Sequence, residues 1–271
     1  MATRRRLDAE LVRRGLAPSR QAAGAAVAAG TVLVGGAVAT KPSRLVDPGE
    51  AVSLLAPART FASRGGDKLA PAIERLGLDV RGRRCLDAGA STGGFTDVLL
   101  RAGAAAVVAV DVGYGQLDLR LREDRRVTVM DQTNVRELSA DTVGGPVELV
   151  VADLSFISLT VVMGALAALA APGADLVLLV KPQFEVGKRA ADAGRGVIAD
   201  PAMWAAAITA VARAGAAEGL GVAGLCPSAL PGPAGNVEFF LHLRAGAGTL
   251  DAGALDAAVA EGARLRPGAG R

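Results

Sequence analysis

The chain has 271 residues, 51% of them apolar and 21% charged, with a mean hydropathy of +0.36. A chain this long and apolar can bury a sizeable core, which excludes a disordered tail and leaves room for one main domain plus a small module. The net charge of +3 hides an asymmetry: residues 1–60 carry nine Lys/Arg against four Asp/Glu, and the remainder carries 21 against 23. A basic module suited to an anionic partner therefore precedes a near-neutral body.

In chain order, Leu7, Leu11 and Val12 sit at helical spacing within 4–14, which ends at Gly15. Pro18-Ser19 opens a second helix over 19–29 that stops at Gly30. Short β-runs follow at 31–34, 37–39 and 51–54, and Ala56 to Thr60 reads as a linker. The expected organisation is a module over 1–58, a linker over 59–65, a second domain over 66–245 and a Gly/Ala-rich tail over 246–271 that could form a terminal helix. Within the second domain, strands are predicted near 83–88, 106–111, 126–130, 147–152, 175–180, 220–226 and 237–243. Helices are predicted near 66–77, 94–102, 157–170 and 200–218. Strands rich in Val, Leu and Ala without polar alternation suit a parallel sheet covered on both faces. The fold class is therefore α/β, a doubly wound Rossmann-like sheet whose ligand lies beyond the carboxyl ends of the strands.

Val161 to Val180 is about as long as a membrane span. Ala171-Pro172-Gly173-Ala174-Asp175 interrupts it, so a helix, a turn and a buried strand are predicted instead. The start, Arg4-Arg5-Arg6 followed by Leu7-Asp8-Ala9-Glu10, lacks the apolar region of a secretion signal, so a cytoplasmic location without membrane attachment is expected. Cys85 and Cys226 lie in apolar runs and read as buried thiols. His242 has no second ligand nearby in sequence, so no metal site is expected.

Chemistry concentrates at the predicted strand ends. The loop Asp87-Ala88-Gly89-Ala90-Ser91-Thr92-Gly93-Gly94-Phe95 follows the first strand, and its small residues let backbone approach a ligand closely. Ser91 occupies the second glycine position of the dinucleotide fingerprint, and the Lys and Thr of a phosphate-binding loop are missing. Asp111 lies 22 residues after Gly89, a spacing suited to a carboxylate that receives ribose hydroxyls. Asp131 and Gln132 follow the third strand, Asp153 the fourth and Lys181 the fifth. With Lys68 and Glu238 these supply two amines and two acids, each of which, taken singly, could also be a buried ion pair or a strand-end charge.

A loop opening with Asp87-Ala-Gly resembles the first motif of class I methyltransferases, which bind S-adenosyl-L-methionine. Lys68, Asp153, Lys181 and Glu238 resemble, in order and context, the Lys-Asp-Lys-Glu tetrad of FtsJ-like RNA 2′-O-methyltransferases. The strings Ser63-Arg-Gly-Gly66, Asp111-Val-Gly-Tyr-Gly-Gln-Leu117, Ala152-Asp-Leu-Ser-Phe-Ile-Ser-Leu159 and Lys181-Pro-Gln-Phe-Glu-Val-Gly-Lys188 are similar to those of the TlyA-type ribosomal RNA cytidine 2′-O-methyltransferases. That family is often labelled hemolysin. The similarity covers about residues 4–244.

The resemblance implies an S4-like RNA-binding module at the N-terminus, S-adenosyl-L-methionine as cofactor, and ribosomal RNA in ribosomal subunits as partner. It implies that Lys181 is the base, that Asp153 and Glu238 orient it, and that Lys68 holds the target ribose. Asp87, Gly89, Ser91, Thr92, Gly93, Gly94, Phe95, Asp111, Asp131, Gln132 and Asp153 are the expected cofactor contacts. Arg4, Arg6, Arg20, Lys41 and Arg64 are candidate phosphate contacts. The chain departs from the family at Gly35-Gly36, where Asn-Gly or Asp-Gly is common, and at Asp131-Gln132-Thr133-Asn134, where Glu-Arg-Thr-Asn is usual. It departs again at Ala229, where proline commonly follows the serine. A monomer is expected. Rival readings are a membrane-active hemolysin, a non-catalytic RNA-binding or cofactor-binding protein, and a small-molecule methyltransferase.

Overall fold

One turn apart on a short helix, Leu7 and Leu11 are both fully buried and anchor a small core. The computed structural model describes residues 4–55, 60–186 and 196–266, so Ala56 to Arg59 of the expected linker and Lys188 lie outside the described residues. Two units divide the chain at Arg59/Thr60, and each is taken by itself. In the first, β1 (Arg5–Arg6) leads into α1 (Leu7–Arg13) and then α2 (Arg20–Ala28), where the Ser19 hydroxyl accepts the Ala22 N–H as cap. Ala23 and Val27 of α2 pack with Val32 and Val34 of β2 (Val32–Val34). Strand β2 lies between β3 (Ala37–Val38) and β5 (Val52–Leu54), both antiparallel, while β4 (Leu45–Val46) pairs with β1. Gly35 and Gly36 join β2 to β3 with φ of +60° and +83°. Two successive left-handed residues are what a two-residue hairpin demands, so the Gly-Gly departure preserves the turn.

The second unit opens with α3 (Arg64–Arg75). It begins at Arg64, inside the segment expected to be linker, because the Ser63 hydroxyl accepts the Gly65 N–H and starts the helix. Alternation then gives β6 (Arg84–Ala88), α4 (Gly94–Arg101), β7 (Ala106–Val110), the short α5 (Leu119–Arg122), β8 (Val127–Met130), β9 (Val147–Ala152) and α6 (Leu159–Leu169). Next come β10 (Ala170–Val180), a single turn α7 (Pro182–Glu185), α8 (Pro201–Ala217), β11 (Leu220–Pro227), β12 (Phe239–Ala245) and α9 (Ala252–Leu265). The seven strands line up β11-β12-β10-β9-β6-β7-β8, and β12 runs antiparallel to both its neighbours. Strand order reverses between β6 and β9, which opens a crevice at their carboxyl ends. One face is packed by α6 and α8 through residues such as Leu166, Trp204 and Ile208, the other by α3 and α4 through Leu69, Phe95 and Leu99.

Two features differ from the sequence expectation. β10 begins at Ala170, and the predicted turn is an irregularity within it: Ala170 pairs with Val147, and pairing resumes at Asp175 with Leu149. Pro172 cannot donate to a ladder and Gly173 has φ of +79°, so these residues bulge out. Asp175, expected in that turn, is buried. It receives Arg83 Nη1 at 2.6 Å and lies 2.7 Å from His242 Nε2, which gives the lone histidine its partner. The tail after 245 does hold a terminal helix: α9 packs on the sheet, and a Cβ on its Gly262 would lie 2.9 Å from Val237.

Candidate functional site

Parallel strands point their carboxyl ends one way, so the loops after β6, β7, β8, β9 and β10 share one edge of the sheet. Glu238 joins them because β12 is antiparallel and Glu238 immediately precedes it. Val180 pairs with Phe239, so extending the register by one residue sets Lys181 across from Glu238. Leu178 pairs with Ala152 and Ala152 with Ala88, which brings Asp153 beside the same two strands.

A cavity of about 470 Å³ opens at the reversal point. Gly89, Ser91, Asp111 and Asp153 line it, with Val112, Gln116, Thr133, Asn134, Leu154 and Phe156. Gly89 has φ of +85°, and a Cβ there would come within 2.7 Å of the Asp153 carbonyl oxygen, so the close backbone approach requires glycine. Asp111 accepts the Ser91 N–H at 2.8 Å and the Gly113 N–H at 2.7 Å, tying the first and second strand-end loops together. Apolar walls with a few convergent polar groups and a carboxylate suit a nucleoside-containing ligand.

Seven expected cofactor contacts lie outside this lining. Asp87 is buried beneath the loop, where Thr96 Oγ1 donates to it at 2.6 Å. Gly93 faces Leu117 and Leu121, and a Cβ on Gly94 would overlap Ser63 Oγ and the Gly66 nitrogen, so both glycines serve packing, Gly94 against the start of α3. Phe95 sits in the core with its ring 6.0 Å from Phe240, and the Thr92 carbonyl accepts the Asp118 N–H. Asp131 is held by Arg122 and the Gly115 N–H, which keep its carboxyl below the usual range, and Gln132 turns away at φ of +52°. Thr133 and Asn134 take the expected place of Asp131 and Gln132 in the wall.

Burial pushes the Asp87 carboxyl up to about 7, with the Thr96 hydroxyl opposing and Asp153 adding. An unfolded aspartate titrates near 3.9, so between about pH 4 and 7 the unfolded chain loses a proton that the folded chain keeps, and stability falls as pH rises. Asp87→Asn should remove that fall: urea midpoints at pH 5 and pH 8 should converge in the variant and separate in the parent. Identical pH dependence in both would contradict the assignment.

The four tetrad residues form two ion pairs at this edge. Lys68 Nζ donates to Glu238 Oε2 at 2.7 Å, and Lys181 Nζ lies 2.6 Å from Asp153 Oδ1. Lys68, Lys181 and Glu238 are 6%, 7% and 1% exposed. A second cavity, of about 350 Å³, is lined by Lys181, Glu238, Phe184 and Asn236, and it shares Ser155 and Phe156 with the first. Phe156 is 92% exposed, has φ of +64°, and sets its ring 5.3 Å from that of Phe184. Glu185 accepts the Leu159 N–H at 2.9 Å and the Ser158 hydroxyl, fastening the loop after β10 to the loop after β9, and burial pushes its carboxyl up. Sequence inspection passed over Ser155, Phe156, Thr133 and Asn134. Their signals were position, three or four residues beyond a strand's last residue, and a place within the strings Ala152 to Leu159 and Asp131 to Asn134.

Among the candidate phosphate contacts, Arg4 pairs with Asp47 at 3.1 Å, and Arg6 and Arg20 both reach Asp8 at 2.9 Å. Arg6 and then Arg20 outweigh the burial of Asp8 and hold its carboxyl down, and Arg13 with Arg14 hold Glu10 at about 2. Lys41 is exposed and, among the described residues, makes no ion pair. Arg64 belongs to the second unit, where its Nη2 donates to the Pro231 carbonyl at 3.1 Å.

Residues 61–245 match the model of the FtsJ-like methyltransferase family and residues 5–52 match the S4 domain. The chain is 54% identical over 245 residues to the 16S/23S rRNA (cytidine-2′-O)-methyltransferase TlyA of Mycobacterium tuberculosis, covering 90% of this chain and 91% of that protein. A Brachyspira hyodysenteriae protein named Hemolysin A is 35% identical, over 72% of this chain and 81% of its own. A solved structure named as a hemolysin from Streptococcus thermophilus aligns with a TM-score of 0.74, 35% identity and 98% coverage of both chains. Among the described residues, no helix is long and apolar enough to cross a membrane.

Proposed function

We propose that this chain, which belongs to the FtsJ-like methyltransferase family, transfers a methyl group from S-adenosyl-L-methionine to the ribose 2′-oxygen of cytidine in ribosomal RNA, acting as a monomer on ribosomal subunits in the cytoplasm. The observation that carries this reading is the meeting of two cavities at Ser155 and Phe156, with an amine–acid pair, Lys181 and Asp153, at the junction.

Gly89, Ser91, Asp111, Thr133 and Asn134 would hold the cofactor in the first cavity. When bound, S-adenosyl-L-methionine would supply an electrophilic methyl group: as the oxygen bonds the methyl carbon, the carbon–sulfur bond would break and the sulfonium sulfur become a neutral thioether. A ribose hydroxyl is a weak nucleophile, so it needs its proton removed as the new bond forms and needs to be held in line. Lys181 takes that proton in its neutral amine form. Asp153 balances the charge that Lys181 acquires, and Glu238, held by Lys68, lines the second cavity and offers the ribose a polar contact. Phe156 and Phe184 offer an aromatic surface on which an unstacked base can rest. The first unit, with its arginine surplus, supplies contacts to RNA phosphates.

Tritium from labelled S-adenosyl-L-methionine should pass to isolated ribosomal subunits, and nuclease mapping followed by nucleoside analysis should find it as 2′-O-methylcytidine. Label on a base, or none on either subunit, would contradict the proposal.

A further inference from the structure

We propose that Ser155 is a positioning residue for methyl transfer: its hydroxyl fixes the direction in which the Lys181 amine presents its lone pair. This rests on the reading of Lys181 as the base. Ser155 lines both cavities and is exposed to them. Lys181 Nζ donates to Ser155 Oγ at 3.0 Å. Asp153 Oδ1 is nearer, at 2.6 Å, yet it is buried and accepts no aligned hydrogen bond. The carboxylate thus lies beside the amine without an aligned hydrogen bond, while the hydroxyl accepts one and so fixes rotation about the Cε–Nζ bond.

Direction matters because a neutral primary amine has two N–H donors and a single lone pair. Only the lone pair can take a proton from the ribose, and it must point at the hydroxyl as the oxygen attacks. A hydroxyl oxygen accepting one N–H removes the rotational states in which the lone pair points at Ser155 itself. Without that acceptor the amine stays beside Asp153 but spreads its lone pair over several directions. The loss falls on the chemical step, because the polar groups assigned to the cofactor, Gly89, Ser91, Asp111, Thr133 and Asn134, stay in place. Because the Ser155 side chain is exposed and outside the core, shortening it leaves the fold intact.

The test uses the full-length chain, tritiated S-adenosyl-L-methionine and ribosomal subunits, with Ser155→Ala, Ser155→Thr and Lys181→Ala measured side by side under single-turnover conditions. Ser155→Ala should slow transfer by about 10-fold while the apparent KM values for subunits and cofactor stay within about two-fold, and Ser155→Thr, which restores the acceptor, should recover most of the rate. The proposal is overturned if Ser155→Ala turns over like the parent, if it raises KM alone, or if Ser155→Thr is as slow as Ser155→Ala. Parental turnover by Lys181→Ala would instead remove the base reading itself. An inactive Lys181→Ala beside a parental Ser155→Ala would remove only the role given to Ser155.

Discussion

Lys181→Ala should lose methyl transfer by about 10²-fold or more while binding the cofactor as the parent does. The amine stands at the end of a fully apolar strand run, Val177 to Val180, and is 7% exposed, so it is held in place by packing around its stem and by Asp153 and Ser155. The cofactor cavity does not include Lys181, so truncation leaves that wall intact. Asp153, with 21% of its side chain accessible, can hydrate once its partner is gone, which limits the cost to the fold. Single-turnover transfer and equilibrium binding of the cofactor separate the two quantities. A variant that binds the cofactor normally and turns over within about threefold of the parent would remove Lys181 from the proton transfer.

Glu238→Leu has the largest expected effect on stability. It leaves the Lys68 ammonium buried and unpaired, and removing one partner of such a pair costs about 3–5 kcal/mol. A double replacement, Lys68→Met with Glu238→Leu, removes both charges and should regain most of that loss, since apolar substitutes for a buried pair are often neutral. The double variant should nevertheless remain defective in transfer. Urea denaturation and single-turnover assays on the parent, single and double variants measure both effects. If the double variant recovers activity together with stability, the pair is a structural tie and nothing more.

The sheet could be read in the sequence because its strands are buried on both faces, which leaves continuous apolar runs such as Leu149 to Ala152. The charges that interrupt those runs at their ends, Asp153, Lys181 and Glu238, were visible for the same reason. Which end charges face a ligand was harder to see. Gly93 and Gly94 look like a ligand cradle, yet what they admit is their own fold: the side chains of Leu117 and Leu121 at Gly93, and Ser63 with the first turn of α3 at Gly94. Small residues are demanded by any close approach, and the sequence does not say what approaches. Asp175 illustrates another limit. Its partners Arg83 and His242 lie 92 and 67 residues away, and only the sheet brings them together. The arginine surplus of the first unit was plain from counting, but the pairing of Arg20 with Asp8, twelve residues away, depends on helix packing. Helix α9 was legible only as a helix the tail could form, because its Gly and Ala residues give a weak apolar stripe, carried by Leu255 and Val259.

The most direct test of the two-pair site is a structure of the protein with the demethylated cofactor and its RNA strand bound. Lys181 as the base requires its Nζ within hydrogen-bond reach of the target ribose 2′-oxygen, about 3 Å, with that oxygen facing the cofactor sulfur. A target ribose seated elsewhere, with Lys181 and Lys68 both turned away from its hydroxyl, would contradict it.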